Sequence, residues 1–289
     1  MKKVFLTFGD GGDNFAAARR RIAREAKETG QFDEICAYSW EDVEQKAVKE
    51  SPLRKYERGC GYWIWKPAII YSTLSRLSNG DVLVFCDAGD VLFKAKRQWN
   101  IFFKSLEKHE IICKRISACN LQMCRKELLE TFGMNCGICG RLCFQFESGT
   151  IFIRRTDFTV SLMREWLNMM VARPEIVPDV ISEKEKEGQL PTFLANRYEQ
   201  AILTLLLQKC LSDKSSRSKI KTVWEFHEGW WLFGNPCVET ARLRGDGRFK
   251  RSLKTWIVRL VYRVAWGIQL FLERRGFCLF WEKGGYYGA

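Results

Sequence analysis

An apolar run, Val82-Leu83-Val84-Phe85-Cys86, breaks off abruptly into Asp87-Ala88-Gly89-Asp90. Such a run suits a strand buried on both faces, and open α/β sheets bind ligands beyond the carboxyl ends of their strands. Two carboxylates at that edge can hold a hard cation. Mg²⁺ and Mn²⁺ take oxygen ligands and keep waters or phosphate oxygens in their shells. Ala88 and Gly89 leave room for a diphosphate to approach. The bland alternative for these four residues is a strand-end turn with solvated acids.

Upstream, residues 57–67 read ERGCGYWIWKP. Two glycines and three large aromatics lead into Lys66-Pro67, and proline is well placed in a first helical turn. The free N–H groups of a helix start favour an anion, and Lys66 adds charge beside them. Tyr62 or Trp63 offers a plane for stacking on a base or sugar. Core packing is the competing use of Trp63 and Trp65.

The elements that must position these residues alternate in a βαβ manner. Residues 4–9, VFLTFG, predict a first strand, followed by the loop GDGGDN. Residues 16–29 are rich in helix formers and stop at Gly30. Residues 32–38 read as a second strand, and 39–42 as a helix start. A helix from Lys66 to about Leu77 precedes the apolar strand at 82–86. Residues 149–154 predict another strand, 158–171 an amphipathic helix, and the stretch 188–210 a loop and then a long helix. Residues 99–144 resist assignment, and 212–221 read as a polar linker. This order implies a mostly parallel sheet covered by helices.

Three further segments follow the acidic motif: FESGTIFIRR at 146–155, a helix bearing Trp166, and NRYEQAILTLL at 196–206. Together they resemble GT-A glycosyltransferases, in which a small-residue turn, a Trp-bearing helix and an acid-Gln pair follow the acidic metal motif in that order. More narrowly, GYWIWKP with VFCDAGD is similar to bacterial and viral capsule or lipopolysaccharide glycosyltransferases. The resemblance spans roughly residues 4–207.

It implies a Rossmann-like GT-A catalytic domain over residues 1–240, with a tail over 241–289. It also implies a metal-dependent transfer of a hexose from a nucleotide-diphosphate sugar, a UDP-sugar by preference, to a glycan or lipid-linked acceptor. Asp87 matches the first acid of the metal motif. Asp90 stands one residue beyond the second, where Gly89 interrupts a strict Asp-x-Asp. His227, in WEFHEGWW, suits the late histidine that closes the metal shell. Glu199-Gln200 matches the catalytic acid-Gln pair, with Glu in place of Asp. Phe8, Gly9, Tyr62, Trp63, Lys66, Ala88, Gly89, Glu147 and Ser148 complete the donor-binding set with Asp87.

The formal net charge is +13. From Arg242 to Ala289 there are 11 Lys/Arg against 3 Asp/Glu, a balance of +8, so the basic character is concentrated in the tail. Ile257, Val261, Val264, Ile268 and Phe271 fall near one helical face of that tail, with Trp256, Trp266 and Trp281 suited to an interface. Such a helix would lie on an anionic membrane, on its inner, cytoplasmic face, or pack on the catalytic domain. No secretory leader and no run of about 18 apolar residues is evident. Among the 12 Cys, six crowd between Cys113 and Cys143, including Cys136-Gly-Ile-Cys139. Without a second such pair they read mainly as free thiols, with a structural metal as the minor reading. A nucleic-acid-binding protein is the alternative that +13 and the aromatics allow. No zinc-finger, helix-turn-helix or RNA-binding signature accompanies the charge, which ranks it below the enzyme.

Overall fold

The computed structural model describes residues 1–133, 144–179, 182–228, 235–241, 243, 245 and 247. The C-terminal helix expected in the tail, and Cys136, Cys139 and Cys143, lie outside the described residues. The fold is α/β, with a mixed central sheet between helices, as the alternating sequence pattern predicts. Among the described residues the sheet has six strands in the order β2-β1-β3-β6-β5-β7. They are β1 (Lys3–Phe8), β2 (Glu34–Tyr38), β3 (Val82–Cys86), β5 (Ile111–Cys119), β6 (Phe144–Arg154) and β7 (Ile220–Val223). A two-stranded ribbon joins β4 (Val91–Leu92) to β8 (Val238–Glu239).

β1 pairs in parallel with β2 and β3, and β5 in parallel with β7; β6 runs antiparallel between β3 and β5. Five of the six strands therefore point the same way. Where the sequence left residues 99–144 unassigned, the structure has the long strand β5, broken in register between Cys113 and Arg115 and again before Cys119. Such irregular registers blur the period-2 signal. The expected linker at 212–221 ends in β7, whose four residues are too few for periodicity to reveal.

Side chains alternate across each strand, so each strand serves two cores. On one face Val4, Leu6 and Phe8 of β1, Leu83 and Phe85 of β3, and Ile151 and Ile153 of β6 belong to a single large cluster. It is covered by α2 (Trp65–Arg76), α4 (Asp157–Ala172) and α5 (Tyr198–Ser212). On the other face Phe5, Val82, Val84 and Phe152 meet Ile22 and Ala26 of α1 (Asp13–Thr29) and Trp99, Phe102 and Phe103 of α3 (Lys96–Ser105). Helix α5 is buried from Tyr198 through Gln208, which explains its apolar residues on every side.

The position of α5 is set partly by Trp166 of α4. This side chain is fully buried, and its indole Nε1 donates 2.9 Å to the backbone carbonyl of Glu199. Trp166→Phe keeps a large aromatic in the core but removes that second bond to a carbonyl already in the helix, a loss of about 0.5–1.5 kcal/mol. Urea unfolding is expected to show a lower midpoint with an unchanged slope.

Candidate active site

The chain passes through the carboxyl edge of the sheet at β3, and four side chains from four elements meet there. Lys66, in the first turn of α2, is only 1% exposed. Its Nζ lies 3.1 Å from Asp87 Oδ1, 3.3 Å from Ser148 Oγ and 3.0 Å from Glu199 Oε1. Ser148 Oγ in turn donates 2.9 Å to Glu199 Oε1. Asp87 follows β3, Ser148 lies in β6, and Glu199 is in the first turn of α5. Residues separated by 133 positions in sequence thus share one hydrogen-bonded cluster.

Asp87 is the cluster member open to solvent, with its side chain 37% exposed against 5% for Glu199. Its backbone N–H donates 2.7 Å to the Gly149 carbonyl. Gly149 has to be small: a Cβ there would lie 3.0 Å from Asp87 Oδ2. Although part of the side chain reaches solvent, the protein packed around the rest of it, and next the Glu199 and Glu147 carboxylates, push the Asp87 carboxyl up despite the opposing ammonium of Lys66. For Lys66, burial pulls the ammonium down, but Asp87 and Glu199 together hold it above its ordinary value.

A second ionic group borders the first. Lys114 of β5 pairs with Glu147 of β6 at 2.9 Å and donates 2.6 Å to Thr240 Oγ1 just after β8. Asp90 is 4% exposed and accepts 2.7 Å from Thr150 Oγ1. Its backbone N–H closes the turn onto the Asp87 carbonyl at 2.9 Å. This turn is braced from below by Arg21 of α1, whose guanidinium donates to the carbonyls of Ala88 (2.7 Å) and Asp90 (2.9 Å). Arg21 also pairs with Glu25, and Glu25 accepts from the Leu92 N–H at 2.9 Å. The Gly89 carbonyl accepts from Leu243 at 2.8 Å, so the chain entering the tail is hooked onto the same turn.

The approach to Lys66 is a strained turn. Gly59, Cys60, Gly61, Tyr62 and Trp63 all have φ between 50° and 89°, five left-handed residues in succession. Gly59 is required there, since a Cβ would collide with the Trp63 ring at 2.3 Å. Each non-glycine residue in this region costs roughly 1–2 kcal/mol. Tyr198, at φ 51°, shares the strain and stacks on Trp63 at 5.2 Å. The pairing sets the starts of α2 and α5 side by side.

The expected site residues therefore divide. Asp87, Ser148, Glu199 and Lys66 come together, with Glu147 and Asp90 beside them. Lys66 differs from its expected role as a charge offered to an anion, because it is buried and turned onto carboxylates. Phe8 is buried and stacks on Trp65 at 3.9 Å, and Tyr62 is buried against Tyr56 and Tyr198, so both are core aromatics rather than ligand platforms. Trp63 is half-buried and keeps a partly open ring. Gly9 is buried under α1, where a Cβ would meet the Phe15 carbonyl at 2.5 Å. Ala88 and Gly89 form the braced turn. Gln200 points to Gln145, donating 2.7 Å to its carbonyl oxygen. His227 is buried in the segment after β7, directly after the core aromatic Phe226. Among the described residues no group of three or more His, Cys, Asp or Glu has the arrangement of a metal site, so Asp87, Asp90 and His227 do not form a ready-made shell.

Arg21, Glu25 and Lys114 went unnoticed in the sequence. For Arg21 a signal exists: a basic residue among Ala18, Ile22 and Ala26 on the buried face, with Glu25 one turn on. Lys114 carries none, because its partners are 33 and 126 positions away.

Neither a protein-family model nor a curated protein matches this chain. Among solved structures it is similar to a glycosyltransferase involved in the glycosylation of the major capsid of PBCV-1, at 8% identity and TM-score 0.36, over 77% of this chain and 82% of that one. It is also similar to mouse xyloside xylosyltransferase 1, at 10% identity and TM-score 0.40, over 77% and 84%. A third is the galactosyltransferase LgtC in complex with donor and acceptor sugar analogues, at 13% and TM-score 0.36, over 92% and 96%. At these identities and scores no residue role follows from the likeness.

Asp90 yields a signed prediction. Burial, and next Asp87 and Glu147, raise its carboxyl well above the ordinary 3.8. The fold therefore favours the neutral acid, and the penalty for ionisation is absent below pH 3.8 and grows as pH rises toward the folded-state value. Asp90→Asn keeps an acceptor for Thr150 and removes the charge. It is expected to raise the urea midpoint at pH 7 and to leave it unchanged near the ordinary carboxylate value. A lower midpoint at pH 7 would show that the carboxylate is ionised and held by a partner.

Proposed function

We propose that this chain is a GT-A-type glycosyltransferase that moves a hexose from a nucleotide-diphosphate sugar, by preference a UDP-sugar, to a glycan or lipid-linked acceptor. The observation that carries this reading is the meeting of Asp87, Ser148, Glu199 and Lys66 beyond the carboxyl end of β3. The connection after β1 runs to β2 on one side and the connection after β3 runs on toward β5 on the other, and α/β sheets bind nucleotides in the crevice at such a switch point. Asp87 faces solvent at that crevice. Glu199 lies below it, where a sugar rather than a nucleotide would be in reach.

The chemistry of the donor set supports a divalent cation. Asp87, Glu147 and Glu199 supply three carboxyl groups against the two ammonium groups of Lys66 and Lys114, with the Asp90 carboxyl favoured as the neutral acid beside them. A diphosphate meeting that excess of acid needs positive charge to accompany it. Mg²⁺ is commonly held by one or two carboxylates plus substrate phosphates, so a preassembled shell of three protein ligands is not required. Asp87 would hold the ion, which would supply charge neutralisation for the departing diphosphate. Glu199 Oε1 accepts from the Lys66 ammonium and the Ser148 hydroxyl. Its remaining acceptor capacity would take a hydrogen bond from a sugar or acceptor hydroxyl and orient it for attack. Half-buried Trp63 offers an aromatic edge to the same crevice.

In the same reading the basic tail holds the enzyme on the cytoplasmic face of an anionic membrane, near a lipid-linked acceptor. Its balance of +8 and its three tryptophans support this. No helix among the described residues is long and apolar enough to cross a membrane. The full chain is expected to float with anionic vesicles, to be largely released by salt, and to ignore neutral ones. Equal flotation with both vesicle types would remove the electrostatic anchor.

The enzyme reading is tested by thermal stabilisation and turnover. UDP with Mn²⁺ is expected to raise the unfolding temperature, oligonucleotides are not, and a panel of nucleotide sugars should include a hydrolysed donor. Asp87→Ala should abolish metal-dependent UDP binding while leaving the fold intact. Glu199→Gln should lower turnover by about 10²–10⁴-fold with UDP affinity little changed. Stabilisation by oligonucleotides alone would favour a nucleic-acid-binding protein instead.

A further inference from the structure

We propose that Lys66 is a positioning residue, a buried ammonium that fixes the Glu199 carboxylate relative to Asp87, and not a ligand for phosphate. The proposal rests on the glycosyl-transfer reading for what Glu199 does. The clamp itself rests on geometry alone.

An ammonium has three N–H donors and no acceptor. Lys66 Nζ has three acceptors around it, Asp87 Oδ2, Ser148 Oγ and Glu199 Oε1, at 3.4, 3.3 and 3.0 Å. Its donor capacity is thereby used, and at 1% exposure no side of the group is turned to solvent. A phosphate could reach it only by displacing a carboxylate. The three acceptors come from the end of β3, from β6 and from α5, while the lysine comes from α2. One atom thus ties four elements together at the edge of the sheet.

The surroundings are built to hold that atom in place. The left-handed turn from Gly59 to Trp63 delivers the chain into α2, and its last residue stacks on Tyr198, itself left-handed, immediately before Glu199. Trp65 Nε1 closes the turn by donating 3.0 Å to the Gly59 carbonyl. From the far side Trp166 holds the Glu199 carbonyl. A buried ion pair is weak evidence for stability, since apolar residues of similar volume often serve as well or better. What the charged cluster provides here is a fixed separation between the carboxylate that meets the donor and the one beneath it. Positioning of this kind matters because displacement by about 1 Å can lower a rate roughly 10²-fold.

The test is a double-mutant cycle on the full chain, comparing wild type, Lys66→Met, Glu199→Gln and the double variant. Each is read by urea unfolding, by affinity for UDP with Mn²⁺, and by turnover of whichever nucleotide sugar the wild type hydrolyses. Lys66→Met is expected to lower the urea midpoint, because Glu199 is left buried and unpaired, and the double variant is expected to recover much of that loss. UDP affinity should stay within about threefold in Lys66→Met while turnover falls about 100-fold. In the Glu199→Gln background the same change should reduce turnover by less than about threefold.

A tenfold or greater loss of UDP affinity with turnover at saturating donor retained would make Lys66 a phosphate ligand and overturn the proposal. Additive losses in both unfolding and turnover would also overturn it, since Lys66 would then act independently of Glu199. Should Lys66→Met fail to fold, the double variant, which lacks the stranded carboxylate, still decides. Recovery of folding there supports the clamp, and failure there sinks it. If the wild type turns over none of the nucleotide sugars, the glycosyl-transfer reading fails, and the unfolding cycle alone judges the clamp.

Discussion

Burying an ammonium group is the constraint around which this site is arranged. A lysine 1% exposed requires compensating charge and hydrogen bonds, since removing an ion from water costs several kcal/mol even after relaxation. Lys66 obtains them from Asp87, Glu199 and Ser148, each on a different element. The ends of β3, β6, α2 and α5 therefore converge on this one ammonium group. The same convergence puts an exposed carboxylate above a buried one, which is the arrangement that suits a donor sugar and its acceptor.

The backbone around the cluster is held with equal care. Three non-glycine residues of the turn before α2 and one before Glu199 are left-handed, a conformation that persists only where packing enforces it. Stacking of Trp63 on Tyr198 supplies part of that enforcement, and the bond from Trp65 to Gly59 supplies another. On the opposite face of the sheet, Arg21 holds the Ala88 and Asp90 carbonyls, so the acidic turn has a rigid floor. Asp90, buried under this turn with Thr150, serves the shape of the loop more directly than its position in the motif suggests.

The carboxyl groups outnumber the ammonium groups around β3, and this imbalance separates two roles that a basic protein of +13 would otherwise confuse. The positive charge of the whole chain is concentrated far along the sequence, in the tail, while the crevice itself is acidic. Under the proposed function, a diphosphate would meet an edge that needs an accompanying cation, and the basic tail would be left for a different anionic surface. The hook from Leu243 to Gly89 starts the tail beside the site.

The sequence by itself determined the layers and the site's first component. A five-residue apolar run ending in Asp87, proline in the first turn of α2, and a glycine stop after α1 are local signals, each set by neighbours within a few positions. They are enough to place β1, β2, β3, α1, α2, α4 and α5 and to mark Asp87, whereas Ser148 and Glu199 are marked only by the resemblance to GT-A glycosyltransferases. Long-range pairing was not legible. β5 is irregular in register, β7 is four residues long, and the reversal of β6 depends on which strands it meets. From sequence Lys66 reads as a charge that helps a helix start bind an anion, because nothing near it reveals that Glu199, 133 residues away, lies 3.0 Å from its Nζ. Tyr62 reads as a stacking plane for the same reason: an aromatic ring reads identically in a cleft and in a core until its neighbours are known. Residue type fixes what a group is able to do; burial, which only the assembled tertiary structure sets, decides whether it meets solvent, a ligand or another side chain.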